Sequence, residues 1–132
     1  MSAEQLHHHR SYLWIGRALI VVILVLSLGR LGPAGLPVPN GDKWGHLLAY
    51  AALSFWYASF ILDWRGRIWR AGAFVALGAM IEGLQSLTAY RSAEWADLAA
   101  DGAGVALGLI LAMTPLGQLL TAVDHRFARH PQ

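Results

Sequence analysis

The stretch GDKWGHLLAYAALSFWYASFIL, Gly41 to Leu62, decides how this chain is read. From Trp44 to Leu62 it contains no Asp, Glu, Lys or Arg, which is close to the length of apolar helix that crosses a bilayer. Its mouth nevertheless carries Asp42 and Lys43, with His46 one turn inside and Tyr50 one turn further. A buried helix of a soluble protein could share the apolar run, so composition has to separate the two readings. The 132 residues are 56% hydrophobic and 14% charged, with a mean hydropathy of +0.44. Soluble domains run at about 45–50% apolar and about 25% charged. A chain this short has too much surface to hide such a surplus in a core. The expected setting is a membrane.

Outward from that stretch, three more spans follow. Leu13 to Leu31 forms the first, with Arg17 near enough to its end to extend its head group to the interface. Gly32 to Gly41, rich in Gly and Pro, breaks helix repeatedly and joins it to the second. Asp63 to Arg70 reads as a short basic loop, and Ala71 to about Thr88 as the third span, interrupted only by Glu82 and Gln85. A polar link, Tyr90 to Glu94, leads into the fourth span, Asp97 to about Thr114. Leu116 to Phe127 could continue as a short interfacial helix. The expected fold is an all-α integral membrane protein, a four-helix transmembrane bundle over residues 13–120. Tails at 1–12, containing His7-His8-His9, and at 121–132 flank it. No cleavable signal is apparent, because the first apolar run is full length and lacks a small-residue exit.

Positive charge orients the bundle. Four spans put the N-terminus, the second loop and the C-terminus on one side. That side holds seven cations (Arg10, Arg17, Arg65, Arg67, Arg70, Arg126, Arg129) against three on the other (Arg30, Lys43, Arg91). Both termini are therefore expected in the cytoplasm. The same distribution explains the sequence pI of 9.4 as topology rather than nucleic-acid binding. The absence of cysteine excludes disulfides and thiolate metal sites.

On this topology the unusual polar residues fall into one outer layer. Asp42, Lys43, His46 and Tyr50 open the second span. Glu82 and Gln85 end the third, Arg91 lies in the outer loop, and Asp97 and Asp101 begin the fourth. His46 and Tyr50 are four residues apart, as are Gly78 and Glu82, and Asp97, Asp101, Gly104 and Gly108 form one helical stripe. Glycines on that stripe permit close helix approach, so its acids should face the bundle and not lipid. Spans two, three and four are thus expected to converge on one polar site. Each member has a plainer reading: a helix-start acid (Asp97), an interfacial pair (Asp42, Lys43), a satisfied histidine, packing (Tyr50, Gly104, Gly108), an interhelical hydrogen bond (Gln85). Glu82 fits a plain reading least, as the only Asp or Glu between Asp63 and Glu94.

The pattern Asp42-Lys-x-x-His46-x-x-x-Tyr50, Glu82-x-x-Gln85, Arg91, Asp97-x-x-x-Asp101-x-x-Gly104-x-x-x-Gly108 resembles the VanZ-like family of small bacterial membrane proteins. The resemblance runs from Asp42 to Gly108, with one departure: Asp101 stands where the family usually has Asn. The family is named for a protein associated with teicoplanin resistance. The likeness implies an envelope protein of the bacterial inner membrane and nominates Asp42, Lys43, His46, Glu82, Gln85, Arg91 and Asp97 as a shared polar set without giving them roles.

Three functions compete. The first is binding or handling of a lipid-linked envelope precursor or a glycopeptide-type antibiotic at the outer leaflet. Lys43 and Arg91 would meet phosphate, the acids would accept from hydroxyls or amines, and membrane lipid would surround the apolar walls. The second is an enzyme at the same place, with His46, Glu82 and Asp97 as candidate catalytic groups. A metal form of it would use Asp42, His46, Glu82 and Asp101 as ligands. The third is a structural membrane protein; proton- or ion-coupled transport is weaker, because the inner halves of spans two to four carry no ionisable residue to continue a path. Cofactors and oligomeric state stay open.

Overall fold

The computed structural model describes residues 6–28, 38–89 and 94–129. All regular structure among them is helical: α1 (His9–Leu28), α2 (Gly41–Phe60), α3 (Trp64–Gln85), α4 (Trp95–Ala112) and α5 (Leu119–Ala128), with a 3-10 turn at Pro115–Gln118. Two of these helices, α1 and α4, are long and apolar enough to cross a membrane. The other two long helices carry more polar ends, Asp42 to His46 on α2 and Arg65 to Arg70 on α3.

The helix boundaries differ from the apolar runs for local reasons. The expected basic loop at Asp63 to Arg70 is mostly the first turns of α3, because the Asp63 side chain accepts from the Gly66 amide at 2.6 Å and caps the helix. Arg67 then turns back to the end of α2, donating to the Ala58 and Ile61 carbonyls at 2.7–3.2 Å. Those carbonyls lack partners within the helix, and a cation there also suits the helix dipole. Two helices are joined by three residues because one end caps the other.

The neighbours alternate in direction. Tyr12 and Gly16 of α1 pack on Trp56, Tyr57 and Phe60 at the far end of α2, whereas Gln85 of α3 reaches the Ser27 carbonyl near the end of α1. The principal contact is between α2 and α4, which run parallel. A Cβ on Gly104 would meet the Leu47 carbonyl, and one on Gly108 the Ala51 carbonyl and the Phe55 amide. Side chain-free positions let the two backbones touch, as expected from the stripe. Ser54 locks the crossing by donating to the Val105 carbonyl at 2.9 Å.

The two terminal segments meet. Asp124 on α5 is fully buried and accepts from the His7 and His8 amides, the His8 ring and the Tyr12 hydroxyl, all at 2.8–3.0 Å. Burial opposes its charge, but those donors, led by the His8 ring, outweigh it and hold the carboxyl at about 2. A short helix, α5, therefore does follow the fourth long one, and it latches onto the segment that begins α1.

Candidate functional site

The polar residues gather at the end of the bundle opposite the Asp124 latch. Asn40, in the left-handed conformation (φ 57°), turns the chain into α2, and Asp42 sits in its first turn. Lys43 is the hub of the rim. Its Nζ lies 2.8 Å from Glu94 Oε2, 3.4 Å from Asp42 Oδ2 and 3.7 Å from Asp97 Oδ1. The Glu94 hydrogen bond outweighs desolvation and holds the Lys43 ammonium above the usual lysine range. Burial works against the Asp42 charge, yet bonds from the Lys43 amide and ammonium bring its carboxyl below the usual range.

One turn down, His46 faces α4. Its Nδ1 is 2.8 Å from Asp101 Oδ1, while Nε2 is 4.0 Å from Asp97 Oδ2. With Asp101 as a carboxylate and the imidazole neutral, Nδ1 carries the proton and Nε2 presents a lone pair to the site. Asp101 fits there because α3 has glycine opposite: a Cβ on Gly78 would come within 2.6 Å of Asp101 Oδ2.

Glu82 closes the site from α3. Its Oε2 accepts from the Glu94 amide at 3.0 Å, so the start of α4 is tied to the end of α3. Its other oxygen, Oε1, has no hydrogen-bond partner among the described residues, and neither does Asp97 Oδ1 or the Tyr50 hydroxyl. All three residues are buried, at 7%, 6% and 2% exposure. Buried polar atoms are nearly always paired in proteins, so an open set in one place marks a site. Beside it lies a cavity of about 340 Å³ lined by Glu82 and Glu94 on one hand and Ala79, Trp95 and Leu98 on the other.

Asp42, Lys43, His46, Glu82, Asp97 and Asp101 are thus brought together, with Tyr50 directly below His46. Gln85 points elsewhere, donating to the Ser27 carbonyl at 2.8 Å, and acts as a helix-to-helix strut. Arg91 lies outside the described residues. Glu94 belongs to the site although its sequence setting, a polar link, gave no periodic signal. Its one trace was position, three residues ahead of Asp97 at a helix start. Ser86 donates to the Gly83 carbonyl, one turn back on its own helix.

Metal-ligand geometry also differs from the expected set of Asp42, His46, Glu82 and Asp101. The donors that lie within 4.8 Å of one another are His46, Glu82 and Asp97, and separately Asp42, Glu94 and Asp97. Asp101 is spent on the far side of the imidazole, and Asp42 sits too far up the rim. Comparison with known proteins returned no matching family model, no matching curated protein and no matching solved structure.

Proposed function

We propose that the chain is a four-span protein of the bacterial inner membrane, with both termini cytoplasmic. On this reading it binds the polar head group of a lipid-linked envelope precursor or a glycopeptide-type antibiotic at its outer face. The observation that carries this is the buried set of carboxylate oxygens and a hydroxyl on α2, α3 and α4 that lack hydrogen-bond partners among the described residues, beside a cavity with apolar walls. A head group would complete the polar set while its chain lay along Trp95 and Leu98. The membrane setting rests on the two apolar spans and on large apolar side chains exposed around the bundle, among them Val21, Val25, Leu48, Met80 and Ile110. Orientation rests on the excess of Arg on one side, and the envelope role on the VanZ-like pattern.

Accessibility labelling tests the topology: a cysteine at Ala89 should react with an impermeant reagent on intact spheroplasts, and one at Arg65 should not. The opposite pattern reverses the orientation. The role is tested by His46→Ala, Glu82→Gln and Arg91→Ala in the native host. Each should change glycopeptide susceptibility at normal protein levels. If all three leave it unchanged, the chain is a structural membrane protein.

The His46–Asp101 pair favours a second reading, an enzyme. A carboxylate that fixes Nδ1–H leaves Nε2 as a general base, the arrangement used in hydrolytic triads. No serine stands beside Nε2 among the described residues, so the nucleophile would be water or a group on the substrate. Turnover of a lipid-linked substrate by wild type and not by His46→Ala would establish it.

A further inference from the structure

The two groups of convergent donors are not equivalent. Asp42, Glu94 and Asp97 already surround a cation, the Lys43 ammonium, which lies 2.8–3.7 Å from an oxygen of each. His46, Glu82 and Asp97 also converge within 4.8 Å, and among the described residues no ammonium or guanidinium is paired with His46 or Glu82; Lys43 reaches only Asp97 of the three. Their free atoms are the right kind. Glu82 Oε1 is a buried acceptor without a hydrogen-bond partner, and Asp97 turns Oδ2 toward His46 Nε2 at 4.0 Å while its Oδ1 faces Lys43 at 3.7 Å. The remaining imidazole nitrogen is held by a carboxylate, Asp101, at 2.8 Å. That outer carboxylate is the usual companion of a metal-bound histidine, fixing its tautomer and raising its basicity.

We propose that His46 Nε2, Glu82 and Asp97 bind a divalent transition-metal ion, with Asp101 positioning the imidazole. One nitrogen and two carboxylate donors suit Zn²⁺ or Mn²⁺, whereas Ca²⁺ and Mg²⁺ prefer oxygen alone. Metal–ligand bonds of about 2.0–2.2 Å bring such donors closer together than 4.8 Å, a closure that carboxylate rotation can supply. The ion's open positions would face the cavity that Glu82 also lines. The proposal deepens the head-group reading and rests on it. Among the described residues the site holds five carboxyls (Asp42, Glu82, Glu94, Asp97, Asp101) with one ammonium and one imidazole, an excess of acid that disfavours a phosphate there without a further cation. A divalent ion would turn it into a phosphate acceptor.

The test uses full-length protein in detergent, stripped with EDTA, dialysed and titrated with ZnCl₂ and MnCl₂ by calorimetry, with bound metal counted by mass spectrometry. Wild type should bind one ion per chain, and His46→Gln and Asp97→Asn should lose it while keeping wild-type helicity. Should one variant fail to fold, the other decides. Asp101→Asn should keep the site but weaken it about 10–100-fold, as loss of an outer partner does. Folded wild type that binds neither ion, or binding unchanged in both ligand variants, overturns the proposal. Co-purified lipid in the same samples separates the two ideas: lipid retained without metal removes the metal alone, and metal without any amphiphile removes the head-group reading alone.

Discussion

His46 and Asp101, 55 residues apart, share a 2.8 Å hydrogen bond that exists because α3 places a glycine, Gly78, against the acid. Three helices are therefore needed to make one pair. Gly78→Ala would thrust a methyl at Asp101 Oδ2 and move the carboxylate off the imidazole. The expected result is a folded protein that has lost most of its ligand affinity, with little change in helicity. A circular dichroism spectrum and a binding assay on the same sample check both parts.

The α2–α4 crossing depends on backbone contact. Gly108→Ala puts a Cβ against the Ala51 carbonyl and the Phe55 amide, neither of which can move aside without moving the helix. Overpacking of this kind costs about 1–3 kcal/mol. Thermal melts in detergent should show Gly108→Ala clearly below wild type, whereas Gly72→Ala, which meets nothing nearby, should match it.

Lys43 matters more to the site than to the fold. Its pairs are at the rim, with Glu94 nearly half exposed, and exposed ion pairs contribute little to stability. Removing it leaves Asp42, Glu94 and Asp97 facing one another without their ammonium. Lys43→Ala should therefore melt within a few degrees of wild type while binding a head group much more weakly. A large drop in melting temperature would show that the rim is structural.

The Asp124 latch gives a pH signature. Its carboxyl is held at about 2 in the folded chain, below the ordinary aspartate range, so the folded state binds that proton less readily than the unfolded one. The stabilisation is whole above the ordinary range and is lost as pH falls through about 2. Asp124→Asn should cost roughly 1.5–3 kcal/mol at neutral pH, the scale of a hydrogen bond to a buried charge. Its melting temperature should also change less than wild type between pH 5 and 2, by about that same energy.

Much of this site could be read from the sequence, because its main parts lie on helices and helical spacing fixes which residues share a face. The four-residue steps from His46 to Tyr50 and from Asp97 to Asp101, and the Gly104–Gly108 stripe, needed no tertiary information. What escaped has a common cause: it depends on contacts that periodicity does not encode. Glu94 sits in a polar link and joins the site through two long-range contacts, its amide donating to Glu82 and its carboxylate accepting from Lys43. Spacing placed Asp42 above His46 but could not say how far, so it stood in the expected metal set where Asp97 has the better position. The Asp124 latch joins residues more than a hundred positions apart, between two segments that look like tails. The Asp63 cap hid the start of α3, since a hydropathy window treats charged first turns as loop.

The central claim is that the open polar set on α2, α3 and α4 receives the head group of a membrane-bound molecule. Native mass spectrometry of the detergent-purified protein tests it most directly. Wild type should retain a stoichiometric amphiphile with a polar head group, and Glu82→Gln and His46→Ala should release it while remaining folded. Wild type that flies without any bound amphiphile, or variants that hold the same molecule as tightly, would contradict the account.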